Sequence, residues 1–299
     1  MKLRDNFHLF AATTILFWSL AYVMTRLALG YFSPFSLGFF RYFIASIVLL
    51  FIAIIIKINI PAKNDIKWFI FAGFFGFFFY MIVFNIGSIT VPASTSSIII
   101  ATTPIITTLL ARIFFKEKLK VIQYIAIIIQ FMGVGILTLM NGIFSINKGL
   151  IWIILASISL SIYNLLQRKI TQKYSAIQSV IISIWFGTIM LFIFLPNSIG
   201  EIKNVTIIPI IYLTILGVFS SAVAYITWTY ALKIAKNTSY VTNYMFLTPF
   251  IATIFGILLA KEIPDIYTII GGIIIILGMV IFNFSDIIMN KYRSRNNCT

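Results

Sequence analysis

STSSIIIATTPIITTLLARIFFKE, running from Ser94 to Glu117, is echoed 145 residues later by SYVTNYMFLTPFIATIFGILLAKE, from Ser239 to Glu262. Ser94, Thr103, Pro104, Ile106, Thr108, Lys116 and Glu117 are matched identically by Ser239, Thr248, Pro249, Ile251, Thr253, Lys261 and Glu262. Isoleucine matches between isoleucine-rich segments carry little weight. The Pro and Glu matches carry more, because the 299 residues include only 8 Pro, and Glu occurs only at positions 117, 201 and 262. The same offset pairs Tyr80 with Tyr225 and Gly133 with Gly278. Such internal similarity reads as two related halves.

Each copy contains an apolar run of the length that crosses a hydrocarbon core, about 20 residues per helix. The rest of the chain is similar: 61% hydrophobic, 10% charged, with a mean hydropathy of +1.06. A soluble domain carries about a quarter charged residues, and no soluble fold could hide this much apolar surface. Breaks of charge, Pro, Gly and Asn divide the first half into helices at roughly 8 to 29, 34 to 57, 66 to 87, 93 to 114 and 121 to 140. The second half divides at roughly 149 to 167, 178 to 195, 207 to 230, 239 to 259 and 266 to 285. The expected fold is an all-α integral membrane protein of ten transmembrane helices. Five crossings per half force the halves into opposite orientations, so they form two inverted five-helix repeats. The opening MKLRDNF and the apolar run from about His8 to Gly30 resemble a signal peptide. Without a small-residue cleavage site, that run reads as the first membrane helix.

A formal charge of +15 would point to nucleic acid in a soluble protein. Here the placement of the charge matters more, because Lys and Arg accumulate on the cytoplasmic side of a membrane. With the N-terminus inside, the inner segments hold Lys2, Arg4, Lys57, Lys63, Lys67, Arg112, Lys116, Lys118, Lys120, Arg168, Lys169, Lys173, Lys233, Lys236, Lys291, Arg293 and Arg295, 17 of the 22 basic residues. Arg26, Lys148, Lys203 and Lys261 fall outside, and Arg41 lies within the second helix. Both termini are therefore expected in the cytoplasm, on a multi-pass protein of the cell (inner or plasma) membrane. The single Cys298 permits neither an internal disulfide nor a Cys metal cluster.

FWSLAYVMTRLALGYFSPFSLGFFRYFIAS, Phe17 to Ser46, has Trp-Ser in the first helix, Pro34 after the turn and Arg41 in the second helix. It resembles the opening of an EamA repeat. TTPIITTLLARIFFKEKL and LTPFIATIFGILLAKEIP resemble that repeat's Pro-containing fourth helix and Glu-terminated turn, once in each half. The resemblance covers nearly the whole chain and points to the ten-helix EamA type of the drug/metabolite transporter superfamily. It implies a first EamA-like repeat over 1–143 and a second over 144–299, the latter ending in a short basic tail. It also implies alternating access around a central cavity lined mainly by helices one, three and four of each half. Members carry amino acids, nucleotide-related metabolites, vitamins or drugs, so the family does not choose the substrate.

Several residues stand out as cavity candidates. Thr14, Trp18, Tyr22 and Arg26 recur every four residues and share one face of the first helix. The 145-residue offset places Ser159, Tyr163, Gln167 and Thr171 on the matching face of the sixth. Polar stripes in both halves suit a cavity, though Ser, Thr and Tyr also join packed helices. Ser94, Ser97, Pro104 and Thr108 are answered by Ser239, Thr242, Pro249 and Thr253. A Pro inside a membrane helix frees a carbonyl and loosens or shapes the helix. Asn243 has Ile98 as its counterpart, which marks it for selectivity. Tyr80 and Tyr225, with Trp228 and Asn85 nearby, would supply aromatic walls. The expected substrate-binding set is thus Trp18, Tyr22, Tyr80, Ser97, Tyr163, Gln167, Tyr225 and Asn243. Arg26, Arg41, Pro104, Pro249, Glu117 and Glu262 are assigned gating or structural roles.

Arg41 lies about 10 Å into the membrane, where its long side chain could either snorkel to the interface or face inward. If Arg26 and Arg41 face inward, they favour a carboxylate or phosphate on the solute. Glu117 and Glu262 sit beside Lys residues at helix ends, where pairing explains them without a transport role. Asp5, Asp65, Glu117, Glu201, Glu262, Asp265, Asp286 and His8 all fall at helix ends, in loops or in tails, leaving no obvious mid-membrane proton carrier.

No His, Cys, Asp and Glu cluster equips a membrane-embedded enzyme, and a receptor does not need two opposed halves. The favoured reading is a secondary transporter that exports an amino acid or related metabolite. The alternative is an uptake or exchange carrier for a nucleotide-like or vitamin-like metabolite. No cofactor, metal or nucleic acid is expected. The partners are the solute and the lipid bilayer, for a monomer or weak homodimer.

Overall fold

The computed structural model describes residues 7–115, 121–139, 148–203, 205–234 and 243–285, and among them every regular element is helical. In chain order the rods are α1 (Phe7–Ala28), α2 (Pro34–Ile56), α3 (Lys63–Ser88), α4 (93–115), α5 (Val121–Leu139), α6 (Lys148–Thr171), α7 (Ala176–Ile202), α8 (207–234), α9 (243–260) and α10 (Ile266–Asn283). Of these, α1, α2, α3, α6, α7 and α8 are long and apolar enough to cross a membrane, and the remaining four contain shorter apolar helices. The sequence-based boundaries agree to within a few residues, except that α7 runs on to Ile202, past the expected end near 195. Glu117 and the tails lie outside the described residues, as do most of the inner basic residues between α4 and α5.

Local chemistry sets the helix starts. Ser33 caps α2, accepting from the Ser36 amide, and Pro34 occupies the first turn, where its missing N–H costs nothing. Ser175 caps α7 through the Gln178 amide, and Asp265 caps α10 through the Thr268 amide at 2.7 Å. The rods are not uniform. α4 breaks between Ala93–Ile100 and Thr103–Phe115, where Pro104 has no N–H to continue the ladder. α9 likewise starts as a 3-10 turn, Asn243–Leu247, before Thr248–Ala260 with Pro249 in its first turn. Both α3 and α8 widen to a π-helix, over Phe74–Phe79 and Ile215–Val223 respectively. The helix boundaries show in the apolar pattern, but these internal changes of pitch do not.

The packing joins the first half of the chain to the second. α1 lies against α8 and α9, α6 against α3 and α4, α2 against α7 and α8, and α5 against α10. At the α5–α10 contact, a Cβ on Gly133 would sit 2.8 Å from the Gly271 carbonyl oxygen and 2.7 Å from Ile275 Cγ1. One on Gly278 would sit 2.9 Å from the Ala126 oxygen and 2.5 Å from Gln130 Cγ. Gly133 and Gly278, Ala126 and Gly271, and Gln130 and Ile275 are each 145 residues apart. The two helices thus meet by reciprocal contacts, as in a self-complementary interface, and at that distance only glycine fits.

The buried core runs through Leu37, Phe39, Tyr42, Phe69, Phe77, Met81 and Ile99. The outside is apolar as well: Phe51 is 63% exposed, Ile55 78% and Leu258 70%. A water-soluble protein rarely leaves such a belt bare, whereas lipid tails solvate it.

Candidate functional site

An aromatic cluster at the centre of the bundle connects both halves. Phe77, on the π segment of α3, meets Tyr42 at 5.2 Å, Tyr163 at 5.1 Å and Tyr225 at 5.6 Å between ring centroids, each edge to face. Tyr225 continues to Trp18 at 5.4 Å, and Trp18 to Trp228 at 5.1 Å. Beside it, Phe84 takes Tyr22 edge-on and Tyr80 in a stack, both at 5.6 Å. The edge-on pairs set ring edges against ring faces. Of the expected residues, Trp18, Tyr163 and Tyr225 are thus joined in one set of rings and Tyr22 and Tyr80 in the set beside it, contributed by α1, α3, α6 and α8.

Tyr42, Phe77 and Ser221 join this cluster, and sequence reasoning did not select them. Tyr42 has only its place beside Arg41 as a signal, and Phe77 is one of several identical residues in FFGFFF. Arg41 does not snorkel. It is 6% exposed, and its Nε donates to Ser221 Oγ of α8 at 2.8 Å. Its guanidinium carbon lies 5.7 Å from the Tyr42 ring centre, and its charge also reaches Tyr22, Tyr80 and Tyr225. The Tyr42 hydroxyl is buried with no partner in hydrogen-bond geometry, although Tyr225 is close enough to interact with it. The site sits at a close approach of α2 and α8: a Cβ on Gly217 would be 3.0 Å from the Arg41 carbonyl oxygen.

Thr14 and Ser159, in the polar stripes of α1 and α6, bond to the other half of the chain. Thr14 Oγ1 bonds Thr227 Oγ1 at 2.7 Å and donates to the Ala224 carbonyl at 3.2 Å on α8. Ser159 donates to the Phe75 carbonyl of α3 at 2.7 Å. The carbonyl of the Thr before each proline also accepts across the halves: Thr248 from Ser19 at 3.3 Å, and Thr103 from Ser161 at 3.1 Å. Gln167 is held between Ser183, to which its amide donates at 3.3 Å, and Ser179, which donates to its carbonyl oxygen. This contact ties α6 to α7. Ser97 turns back to the Ser94 carbonyl at 2.6 Å, whereas the buried hydroxyls of Ser94 and Ser96 have no partner. Asn85 donates to the Pro34 carbonyl at 2.8 Å and fixes α3 to the start of α2. The side chains of Pro104 and Asn243, and all of Glu117, lie outside the described residues.

Each end of the bundle carries its own charged tie. Glu262 pairs with Arg26 at 3.1 Å rather than with the adjacent Lys261, and its second oxygen accepts from the Ala93 amide at 2.8 Å. Arg26 also donates to the carbonyls of Ser88, at 2.6 Å, and Ile89. At the opposite end Asp65 accepts from Lys173 at 2.5 Å and Tyr174 at 2.6 Å; this neighbour holds the Lys173 ammonium above its ordinary pKa. A groove of about 200 Å³ opens there, and an apolar one of about 500 Å³ lies between α2 and α7 beside Lys57. Neither touches Trp18, Tyr22, Tyr80, Tyr163 or Tyr225.

Comparison with known proteins adds a family. The model of the EamA-like transporter family matches residues 6–139 and again 147–284. The uncharacterized transporter YdfC of Bacillus subtilis is 32% identical over 92% of this chain and 90% of its own. A probable terminal-alkyne amino-acid exporter of Streptantibioticus cattleyicolor is 24% identical over 90% and 91%, respectively. An S-adenosylmethionine uptake transporter of Rickettsia bellii is 25% identical over 89% and 87%. One solved crystal structure, 16% identical, shares the fold with a TM-score of 0.60 over 91% of this chain and 94% of the other.

Proposed function

The chain belongs to the EamA-like transporter family, and from that premise we propose that it exports an amino acid or related metabolite across the cell membrane by alternating access. The observation that carries this reading is the aromatic cluster, to which α1 and α3 of the first half and α6 and α8 of the second each contribute. Rings from both halves would exchange partners if the halves rocked, as alternating access between two repeats requires. Their faces suit an apolar side chain or an ammonium group. The amino-acid exporter among the relatives supports the direction and substrate class; the S-adenosylmethionine uptake transporter supports the second reading, entry of a nucleotide-like solute.

Ten crossings in two inverted halves, bounded at 1–143 and 144–299, complete the proposal, with both termini in the cytoplasm. The reciprocal α5–α10 contact, whose members all differ by 145 residues, and the bias of 17 basic residues to one side support it. Trp18, Tyr22, Tyr80, Tyr163 and Tyr225 are the proposed solute-facing residues, and the Arg26–Glu262 tie is a gate element at the outer end.

The test is flux of labelled amino acids and nucleoside-containing metabolites in reconstituted vesicles. Movement above protein-free vesicles, lowered by Tyr22→Ala without loss of insertion, is the expected result. No movement of any solute alongside a working flux control would sink the carrier reading. Single-Cys labelling after removal of Cys298 should find Ser145 reactive from outside and Lys173 from inside.

A further inference from the structure

We infer that Arg41 is the anchor for a carboxylate on the transported solute, an inference that rests on the carrier reading and names the chemistry it selects. Arg41 is the sole charged residue among the described residues that is buried. A guanidinium has five N–H donors, and within the described residues only Nε has a hydrogen-bond partner, Ser221. No described carboxylate lies within 4.0 Å of it. Glu262 is engaged by Arg26, Asp65 by Lys173 and Tyr174, Glu201 by the Ser33 amide and Asp265 by Thr268. An ion held in a bundle interior without a counter-charge is costly. Such a group persists where an anion completes it.

The surroundings say which anion. Ser221 holds Nε, which leaves the two terminal nitrogens for the paired oxygens of a planar carboxylate. Tyr42, whose ring centre lies 5.7 Å from the guanidinium carbon, has a buried hydroxyl without a partner in hydrogen-bond geometry. One buried positive charge balances a monoanion; a dianionic phosphate would call for a second cation, and none is buried among the described residues. From Tyr42 the ring contacts run through Phe77 and Tyr225 to Trp18, so the rest of the solute would meet aromatic rings. The position 145 residues after Arg41 is Phe186, so the anchor exists in one half only.

The experiment compares each of the twenty amino acids with its carboxamide, which keeps the ammonium and side chain and removes the negative charge. Melting of the purified full-length protein reports binding, and vesicle flux reports transport. Expected is at least one amino acid that raises the melting temperature while its amide does not. Arg41→Gln should weaken that binding about ten- to a hundredfold, and Arg41→Lys less. The acid-to-amide ratio is measured on the unaltered protein, so it decides the question even if Arg41→Gln fails to fold. Equal binding of acid and amide, or no acid that binds, overturns the anchor. Acid-selective binding with no flux upholds the anchor and defeats the carrier reading; flux that ignores the carboxylate does the reverse.

Discussion

α2 crosses α8 at Arg41, and α7 crosses α3 at Phe186, the residue 145 positions on. The helices come close in both places. A Cβ on Gly217 would lie 3.0 Å from the Arg41 oxygen, and one on Gly73 would lie 2.8 Å from both the Gly187 nitrogen and Phe186 Cβ. Each close approach sits at a helix that widens to a π turn, a feature that often marks functional sites. The chemistry differs completely. At the first crossing Arg41 bonds Ser221; at the second, the position matching Ser221 is Gly76, and the Tyr163 ring fills the space its side chain would take. Glycine brings the helices together in both, and the side chains then make one crossing polar and the other aromatic. A related pair of halves can in this way keep one scaffold and hold a single charged site.

The strongest way to break the comparison is to remove the closeness itself. Gly73→Ala would press a methyl onto backbone atoms that no rotamer change can move, and should cost about 3 kcal/mol. Detergent-solubilised protein should lose its monodisperse elution; an unchanged melting temperature would show that the crossing is looser than described. Making the polar crossing resemble the aromatic one is the next test. Arg41→Phe with Ser221→Gly should preserve the fold to within about 1–2 kcal/mol, since a buried ion can be replaced by well-packed apolar groups. Amino-acid flux should nonetheless fall more than about tenfold. Retained flux would place the solute elsewhere. Ser221→Ala leaves the charge and removes its support, a hydrogen bond to an ion being about 1.5 kcal/mol or more; flux measurements should show KM raised with the maximal rate less affected. The smallest effect belongs to the end of the bundle. Glu262→Gln breaks a pair whose side chains are 15% and 29% exposed, and should shift stability by no more than about 1 kcal/mol.

The helices and most of their ends, that of α7 excepted, were readable along the chain because a membrane helix must satisfy its own backbone and show lipid an apolar surface, whatever its neighbours do. The same holds for the repeat: Pro104 and Pro249 mark the same break in both halves, and Gly133 and Gly278 each press on the facing helix, at Gly271 and Ala126 respectively. The aromatic site was legible in part. Trp18 and Tyr22 stand out by their four-residue spacing and Tyr80 and Tyr225 by the 145-residue match, and all four reach the cluster. Phe77 could not be singled out within FFGFFF, because its role comes from three rings contributed by α2, α6 and α8.

Composition and periodicity thus settled that the chain is membranous and helical, since those properties follow from hydropathy and local hydrogen bonding. Tertiary structure alone decided that Arg41 turns inward to Ser221, that Glu262 reaches Arg26 instead of Lys261, and that Gln167 is engaged by Ser179 and Ser183. A long side chain a few residues into a helix can go either to the surface or to the interior at similar local cost. Which way it goes depends on what the facing helix offers, and that partner lies 180 residues from Arg41 in the chain.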